Sequence, residues 1–354
     1  MRTAVIGGGN VGTLMAAEFA HKGHEVTVYT SKPECWGREL RVYDAEENLL
    51  LRGRPSRVTG SMEEALERAE IIWITMPAQL FPALGERMEP FVEAGQKIGV
   101  VPGSGGAEFS FQRLLRKGCT LFGFQRVHSI ARLKQYGKSV YELGRKEKLQ
   151  VGAIPGAAAA GLCGDLEGLF DMPCIPLENY LSVTLTPSNP LLHTTRLYSM
   201  FRNHGRGMVY PRNFLFYEEW TDEASALLIA CDRELQALCE RIPMDLGSVK
   251  PLREHYESRT ISEMTRKLKG IPAFKGLTSP MKRVENGWAL DWQSRYFTAD
   301  FPFGLKVIRD IAALFEVSAP TMDEVWNWYE KTAEGEPAAF ELGITLEEFE
   351  SLYG

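Results

Sequence analysis

Apolar and polar positions along the first half of the chain alternate between two periods. Short runs rich in β-branched and aromatic residues read as strands: Thr3 to Ile6, EVTVY at Glu25 to Tyr29, IIWITMPA at Ile71 to Ala78, KIGVVPG at Lys97 to Gly103, CTLFGFQRV and LQVGAIP. Between them lie stretches of helical period. These are Val11 to His21, SMEEALERAE with an S-x-x-E capping box at Ser61 and Glu64, and the Ala-rich AAAAGLCGDLEGLF. The residues after EVTVY read as a charged stretch. Strands alternating with helices predict a largely parallel, doubly wound α/β sheet, with its ligand beyond the carboxyl ends of the strands. Gly7, Thr75, Met76, Pro77 and Gly103 fall at such ends. The texture changes near Leu185. TPSNPLLHTTRLYSMF carries a helix start, with Asn189 as N-cap and Pro190 at the first helical position. Helical patterns such as TDEASALLIACDRELQALCERI then dominate to about Glu330, and GITLEEFESLYG reads as a short capped helix. The expected organisation is an α/β domain over 1–185 and a mainly α-helical domain over 186–354.

The opening MRTAVIGGGNVG poses a choice between a secretory signal and a nucleotide-binding turn. Gly7, Gly8, Gly9 and Gly12 interrupt the apolar run, which disfavours the signal. The spacing Gly7-x-Gly9-x-x-Gly12 sits between a strand and a helix and is followed by a second strand. That is the context in which such glycines serve a Rossmann-type dinucleotide site. Gly7 permits the tight turn, Gly9 the approach of a pyrophosphate and Gly12 the close packing of helix on strand. Asn10 and Val11 complete the cofactor-binding stretch. At the end of the second strand an NAD-preferring site usually carries Asp or Glu, about 20 residues past the glycines. Here the strand runs into Thr30, Ser31 and Lys32, with Arg38 nearby. Hydroxyls and cations attract a 2′-phosphate, so NADP(H) is expected over NAD(H), although Glu34 stands close.

Composition narrows the classes. The apolar fraction of 44% is ordinary for a globular chain, and a net charge of −6 disfavours nonspecific nucleic-acid binding. No apolar run reaches the roughly 18 residues of a membrane helix. The six cysteines are scattered without a C-x-x-C pair, so neither a metal site nor a disulfide framework is expected, and a reducing cytoplasm fits.

A hydride-transfer enzyme also needs a proton donor, and histidine titrates near neutral pH. Of the six histidines, His193 stands in the first turn of a helix next to the domain boundary. His128, after a strand, is the second choice, as a substrate-facing residue. Asp300, in SRYFTADFPFGL, reads either as a turn cap or as the carboxylate that fixes the His193 tautomer. Arg295 reads either as a surface ion-pair residue or as a fork on a substrate carboxylate.

SNPLLHTTR (Ser188 to Arg196) and SRYFTADFPFGL (Ser294 to Leu305), taken with the glycine fingerprint, resemble the octopine/nopaline (opine) dehydrogenase family. The resemblance implies that His193 is the catalytic histidine, that Asp300 is its partner and that Arg295 belongs to the same site. It further implies NADP(H)- or NAD(H)-dependent condensation of an amino acid with an α-keto acid such as pyruvate, through an imine that is reduced. One position departs: members commonly carry Glu before the aspartate, and this chain has Ala299. The expected partners are these small molecules, with no nucleic acid, membrane or metal, and a homodimer is left open. The alternatives are a plain keto-acid reductase of the 6-phosphogluconate dehydrogenase-like type, synthesis of an opine-type metal chelator, and a non-catalytic NADP(H)-binding sensor.

Overall fold

The chain begins with β1 (Arg2–Ile6), α1 (Asn10–His21) and β2 (Glu25–Tyr29), followed by β3 (Leu40–Tyr43), β4 (Leu49–Gly53) and β5 (Arg57–Thr59). Next come α2 (Met62–Leu66), β6 (Ile71–Ile74), α3 (Phe81–Met88), β7 (Lys97–Val100), α4 (Ala107–Ser110), α5 (Gln112–Arg116) and β8 (Thr120–Phe124). Then follow β9 (Ser129–Gln135), β10 (Ser139–Arg145), β11 (Leu149–Ile154), α6 (Ala158–Phe170), β12 (Cys174–Pro176) and α7 (Leu181–Thr184). This computed structural model describes residues 1–187, 189–335 and 338–353; Ser188, at the head of the SNPLLHTTR stretch, lies outside them. By internal packing the chain divides into Met1–Thr184 with the residues from Phe349 onward, and Leu185–Glu348.

In the first unit, eight strands form one sheet in the order β12-β11-β8-β7-β6-β1-β2-β5. Every neighbour pair is parallel except β8 with β11. Successive side chains of a strand point to opposite faces, and both faces here are covered. Val5, Ile71 and Trp73 pack beneath α1 and α6, while Ala4, Ile6, Ile72 and Ile74 pack against α2 and α3. The expected doubly wound sheet is therefore present.

A second, four-stranded sheet, β4-β3-β10-β9, occupies ground that the sequence reading left partly as a charged stretch. The Ser61 hydroxyl accepts the Glu64 N–H as expected, but the Glu64 carboxylate accepts from the Thr59 hydroxyl at 2.6 Å instead of returning to Ser61. That is half a capping box.

The second unit is mainly helical: α8 (Asn189–Phe201), α9 (Asp222–Arg241), α10 (Leu252–His255), α11 (Ile261–Lys269), α12 (Lys306–Leu314) and α13 (Pro320–Thr332). Between α11 and α12 it holds a hairpin, β13 (Met281–Val284) with β14 (Gly287–Leu290), and a π-helical stretch over Tyr296–Leu305. A last helix, α14 (Leu346–Tyr353), opens with a Thr345/Glu348 capping box.

The C-terminal residues close over a buried acid of the first unit. Glu108 is fully buried; its Oε1 accepts from Thr184 and, at 2.8 Å, from the Tyr353 hydroxyl, while Oε2 has no protein partner. Burial pushes the Glu108 carboxyl up to about 7 from 4.5. Because the folded value lies above the unfolded one, the acid costs nothing below pH 4.5 and costs most above pH 7. Stability should therefore fall with rising pH across that window. Glu108→Gln should remove the fall and stabilise the protein by about 3 kcal/mol at alkaline pH, with little effect in acid. Urea unfolding of both proteins as a function of pH measures this. Parallel curves would show that Glu108 is not held in its neutral form.

Candidate active site

Two residue clusters, one in each unit, carry chemistry. In the first unit β1 delivers the chain into a glycine turn. Gly7 has φ +120°, a conformation that an L side chain resists, and its N–H donates to the Tyr29 carbonyl at 3.0 Å. A Cβ on Gly12 would lie 1.9 Å from the Gly7 carbonyl oxygen, so α1 packs against the turn only because Gly12 is bare. Thr75, at the end of β6, ties the turn down by donating its hydroxyl to the Ile6 and Gly7 carbonyls at 3.2 Å each. Met76 packs on Gly7, and Pro77 is exposed. Gly9 caps α1 with open space around it, and no side chain caps the first turn. Uncapped N–H groups at a helix start, on a turn without side chains, fit a pyrophosphate. The Asn10 carboxamide accepts from the Leu133 N–H of β9 at 2.8 Å, and Val11 packs into the core, so these two offer their backbone to a ligand.

Past β2, Ser31, Lys32 and Arg38 are exposed, whereas Thr30 is buried with its hydroxyl 2.6 Å from that of Tyr136. Gly103 is placed differently from expectation. It is buried, its N–H donates to Phe124 and its carbonyl accepts from Tyr180, and it lies against Gly123. Its smallness serves packing, and its backbone groups are already engaged.

His128 is also a correction. Its ring is fully buried, Nε2 lies 2.8 Å from the Glu18 carboxylate, and Arg145 reaches the other Glu18 oxygen at 2.7 Å. The ring packs on Phe170, with centroids 4.9 Å apart. Burial raises the Glu18 carboxyl, but His128 and Arg145 outweigh it and hold the group below its ordinary value. A buried carboxylate needs such partners, and this role leaves His128 no face for a substrate.

In the second unit α8 carries His193, and the π-helical stretch carries Asp300. The two meet: Nδ1 of His193 donates to the Asp300 carboxylate at 2.7 Å. With Nδ1–H so engaged, the neutral ring has its lone pair on Nε2, which lies 3.0 Å from the Tyr217 hydroxyl. His193 is 3% exposed, and its ring lies 4.5 Å from that of Tyr296 and edge-on to Phe216. Burial pushes the Tyr217 phenol far above its ordinary range, so it stays protonated. Arg295, exposed, opens the π-helical stretch and sits beside the Tyr296 ring. The wider π turn accommodates Pro302 and a non-helical Phe303, an irregularity found often at functional sites.

Sequence reasoning missed two residues here. Tyr217 faces Nε2. Arg196, buried and three residues after His193 on α8, donates to the carbonyls of Phe216 and Glu219 at 2.9 and 2.7 Å, which clamps the segment that carries Tyr217. Burial lowers its guanidinium to about 10, still charged at neutral pH. The helical i, i+3 spacing from His193 was the available signal.

The profile of the "NAD/NADP octopine/nopaline dehydrogenase, alpha-helical domain" matches residues 176–333, and that of the "NAD-dependent glycerol-3-phosphate dehydrogenase N-terminus" matches residues 2–117. Along nearly its whole length the chain is 28% identical over 376 residues to an uncharacterized protein of Sinorhizobium fredii, covering 95% of this chain and 97% of that one. It is 26% identical over 361 residues to the tauropine dehydrogenase of Arabella iricolor, covering 92% and 90%. An octopine dehydrogenase structure with NADH and L-arginine superposes with a TM-score of 0.80 at 25% identity, covering 94% of this chain and 89% of that one.

Arg196→Met should leave two buried carbonyls without a donor and destabilise the protein by about 2–5 kcal/mol. A denaturation midpoint unchanged from wild type would show that the clamp is dispensable.

Proposed function

The chain belongs to the octopine/nopaline (opine) dehydrogenase family, and from that premise we propose that it condenses an amino acid with an α-keto acid and reduces the product with NADPH. The amine nitrogen bonds to the keto carbon, the carbonyl oxygen leaves as water, and the resulting C=N bond gains a hydride and a proton to give a secondary amine. A nicotinamide dinucleotide bound at the glycine turn supplies that hydride. The turn from Gly7 to Gly12 with the start of α1 holds its pyrophosphate, and Ser31, Lys32 and Arg38 attract the 2′-phosphate.

The observation that carries the reading is the His193–Asp300 bond of 2.7 Å in a buried, aromatic setting. Asp300 fixes the ring with Nδ1–H turned toward it, which leaves Nε2 to exchange protons. His193 then moves protons through Nε2. It takes one from the attacking ammonium and gives one to the oxygen that leaves as water. Arg295 offers its planar fork to a carboxylate of the keto acid. Two elements far apart in the chain converge on one proton-handling pair, which supports catalysis over a silent sensor.

NADPH oxidation measured over a matrix of keto acids and amino acids tests the reading. A keto acid alone should react slowly, the right amino acid should raise the rate by orders of magnitude, and the product should have the mass of the reductive conjugate. NADPH should bind more tightly than NADH, and Lys32→Ala should narrow the gap, by about 10- to 150-fold if one charged contact is lost. Fast reduction of a keto acid to a hydroxy acid, indifferent to any amine, would establish the plain reductase instead.

His193→Ala and Asp300→Asn should each lower turnover by about 10²–10⁴-fold with NADPH binding nearly intact. Since the two act as a unit, the double variant should lose far less than the product of the single losses. Near-normal turnover in His193→Ala would remove that residue from the chemistry.

A further inference from the structure

The small four-stranded sheet reaches the glycine turn at a place that neither the fingerprint nor the proton-handling pair explains. Its β9–β10 hairpin ends in Tyr136-Gly137-Lys138 and locks onto the loop after β2. The Gly37 N–H donates to the Gly137 carbonyl at 2.9 Å, and the Arg41 N–H donates to that of Lys138 at 3.0 Å. Gly137 has φ +65°, and a Cβ there would lie 2.7 Å from the Cys35 carbonyl. Further down the hairpin, the bond from the Leu133 N–H to Asn10 anchors β9 to the start of α1. The hairpin tip is thus fixed relative to the turn.

Two aromatic side chains stand on this platform. The ring of Tyr136 packs edge-on to that of Trp36, with centroids 6.0 Å apart. Both cover Gly8. A Cβ built on Gly8 would lie 2.7 Å from the Trp36 indole, 3.1 Å from the Tyr136 hydroxyl and 3.4 Å from that of Thr30. The indole N–H of Trp36 is buried and has no acceptor among the described residues. A buried donor without a partner costs free energy that a ligand acceptor would recover. The Tyr136 and Thr30 hydroxyls, 2.6 Å apart, share one hydrogen between them, which leaves the second free to donate elsewhere. An aromatic face, an unmet N–H and a spare O–H beside a phosphate-binding turn match a base, a phosphate or ribose oxygen and a ribose hydroxyl.

We infer that Trp36 and Tyr136 form the wall that receives the adenosine half of the dinucleotide. The indole rests on Gly8. It shifts off the turn when the pyrophosphate arrives and then packs against the adenosine. Tyr136, held by Thr30, is a positioning residue for the ribose. The inference rests on dinucleotide binding at the glycine turn.

The test uses the full chain and measures binding, independently of turnover. NADPH, 2′,5′-ADP, 5′-AMP and nicotinamide mononucleotide are titrated by calorimetry and by tryptophan emission. The adenosine fragments should alter the emission of the wild type but not of Trp36→Phe, and nicotinamide mononucleotide should alter neither. Trp36→Ala and Tyr136→Phe should weaken 2′,5′-ADP by about 5- to 20-fold, the range of a lost aromatic stack or hydroxyl contact. Both should leave nicotinamide mononucleotide unaffected, and melting curves of the conservative Trp36→Phe and Tyr136→Phe pair show that the fold is kept. Unchanged affinity for 2′,5′-ADP in these variants, or tighter binding in Trp36→Ala, would overturn the inference while leaving dinucleotide binding intact. Failure of NADPH itself to bind the wild type would instead remove the cofactor reading.

Discussion

The first unit depends on one close approach, that of α1 to the Gly7 carbonyl. Helix and turn can meet there only without a side chain at residue 12. The two hydrogen bonds from Thr75 then hold the turn to the end of β6, so the neighbouring strand sets its shape. The geometry leaves α1 unusual in one respect. Asn10 is of the type that often caps a helix, yet its carboxamide serves β9 instead. The helix start consequently keeps its N–H groups for a ligand.

The second unit answers a different constraint. His193, withdrawn from water, has a partner at each ring nitrogen, Asp300 at Nδ1 and Tyr217 at Nε2. Those partners come from a π-helical stretch and from an irregular segment, neither of which is rigid by its own hydrogen-bond ladder. Each is braced from outside. Arg196 holds the backbone of the Tyr217 segment, and the Tyr329 hydroxyl donates to the Phe297 carbonyl at 2.8 Å within the π-helical stretch. The precision needed for proton transfer is supplied by groups that do not touch the histidine.

Much of this was legible in the sequence, for physical reasons. Strands buried on both faces give continuous apolar runs, so IIWI, KIGV and LQVGAI announced themselves, and the glycine spacing declared a backbone need that only glycine meets. The second sheet was less visible because its strands are only half-buried. LRVY alternates buried and more exposed positions, and LLLRG shows Leu49 and Leu50 to solvent, so neither stands out from a charged loop. His128 could not be placed because its partner Glu18 is 110 residues away and lies on the buried side of α1, where an acid is not expected. Tyr217 was hidden for the same reason: no local pattern tells which hydroxyl will face a histidine 24 residues earlier.

His128 and His193 differ in their surroundings, and the role proposed for His193 rests on that difference. Both are buried and both face a carboxylate. His128 packs against an acid that Arg145 also holds, and its ring is fully buried in that core cluster. His193 faces one carboxylate on one side and a neutral phenol on the other, and among the described residues no Lys or Arg forms an ion pair with Asp300. Around His193, the Tyr217 hydroxyl can accept from Nε2–H or donate to the bare nitrogen. That hydroxyl, free to act in either direction, is what suits His193 to the proton-handling role proposed for it.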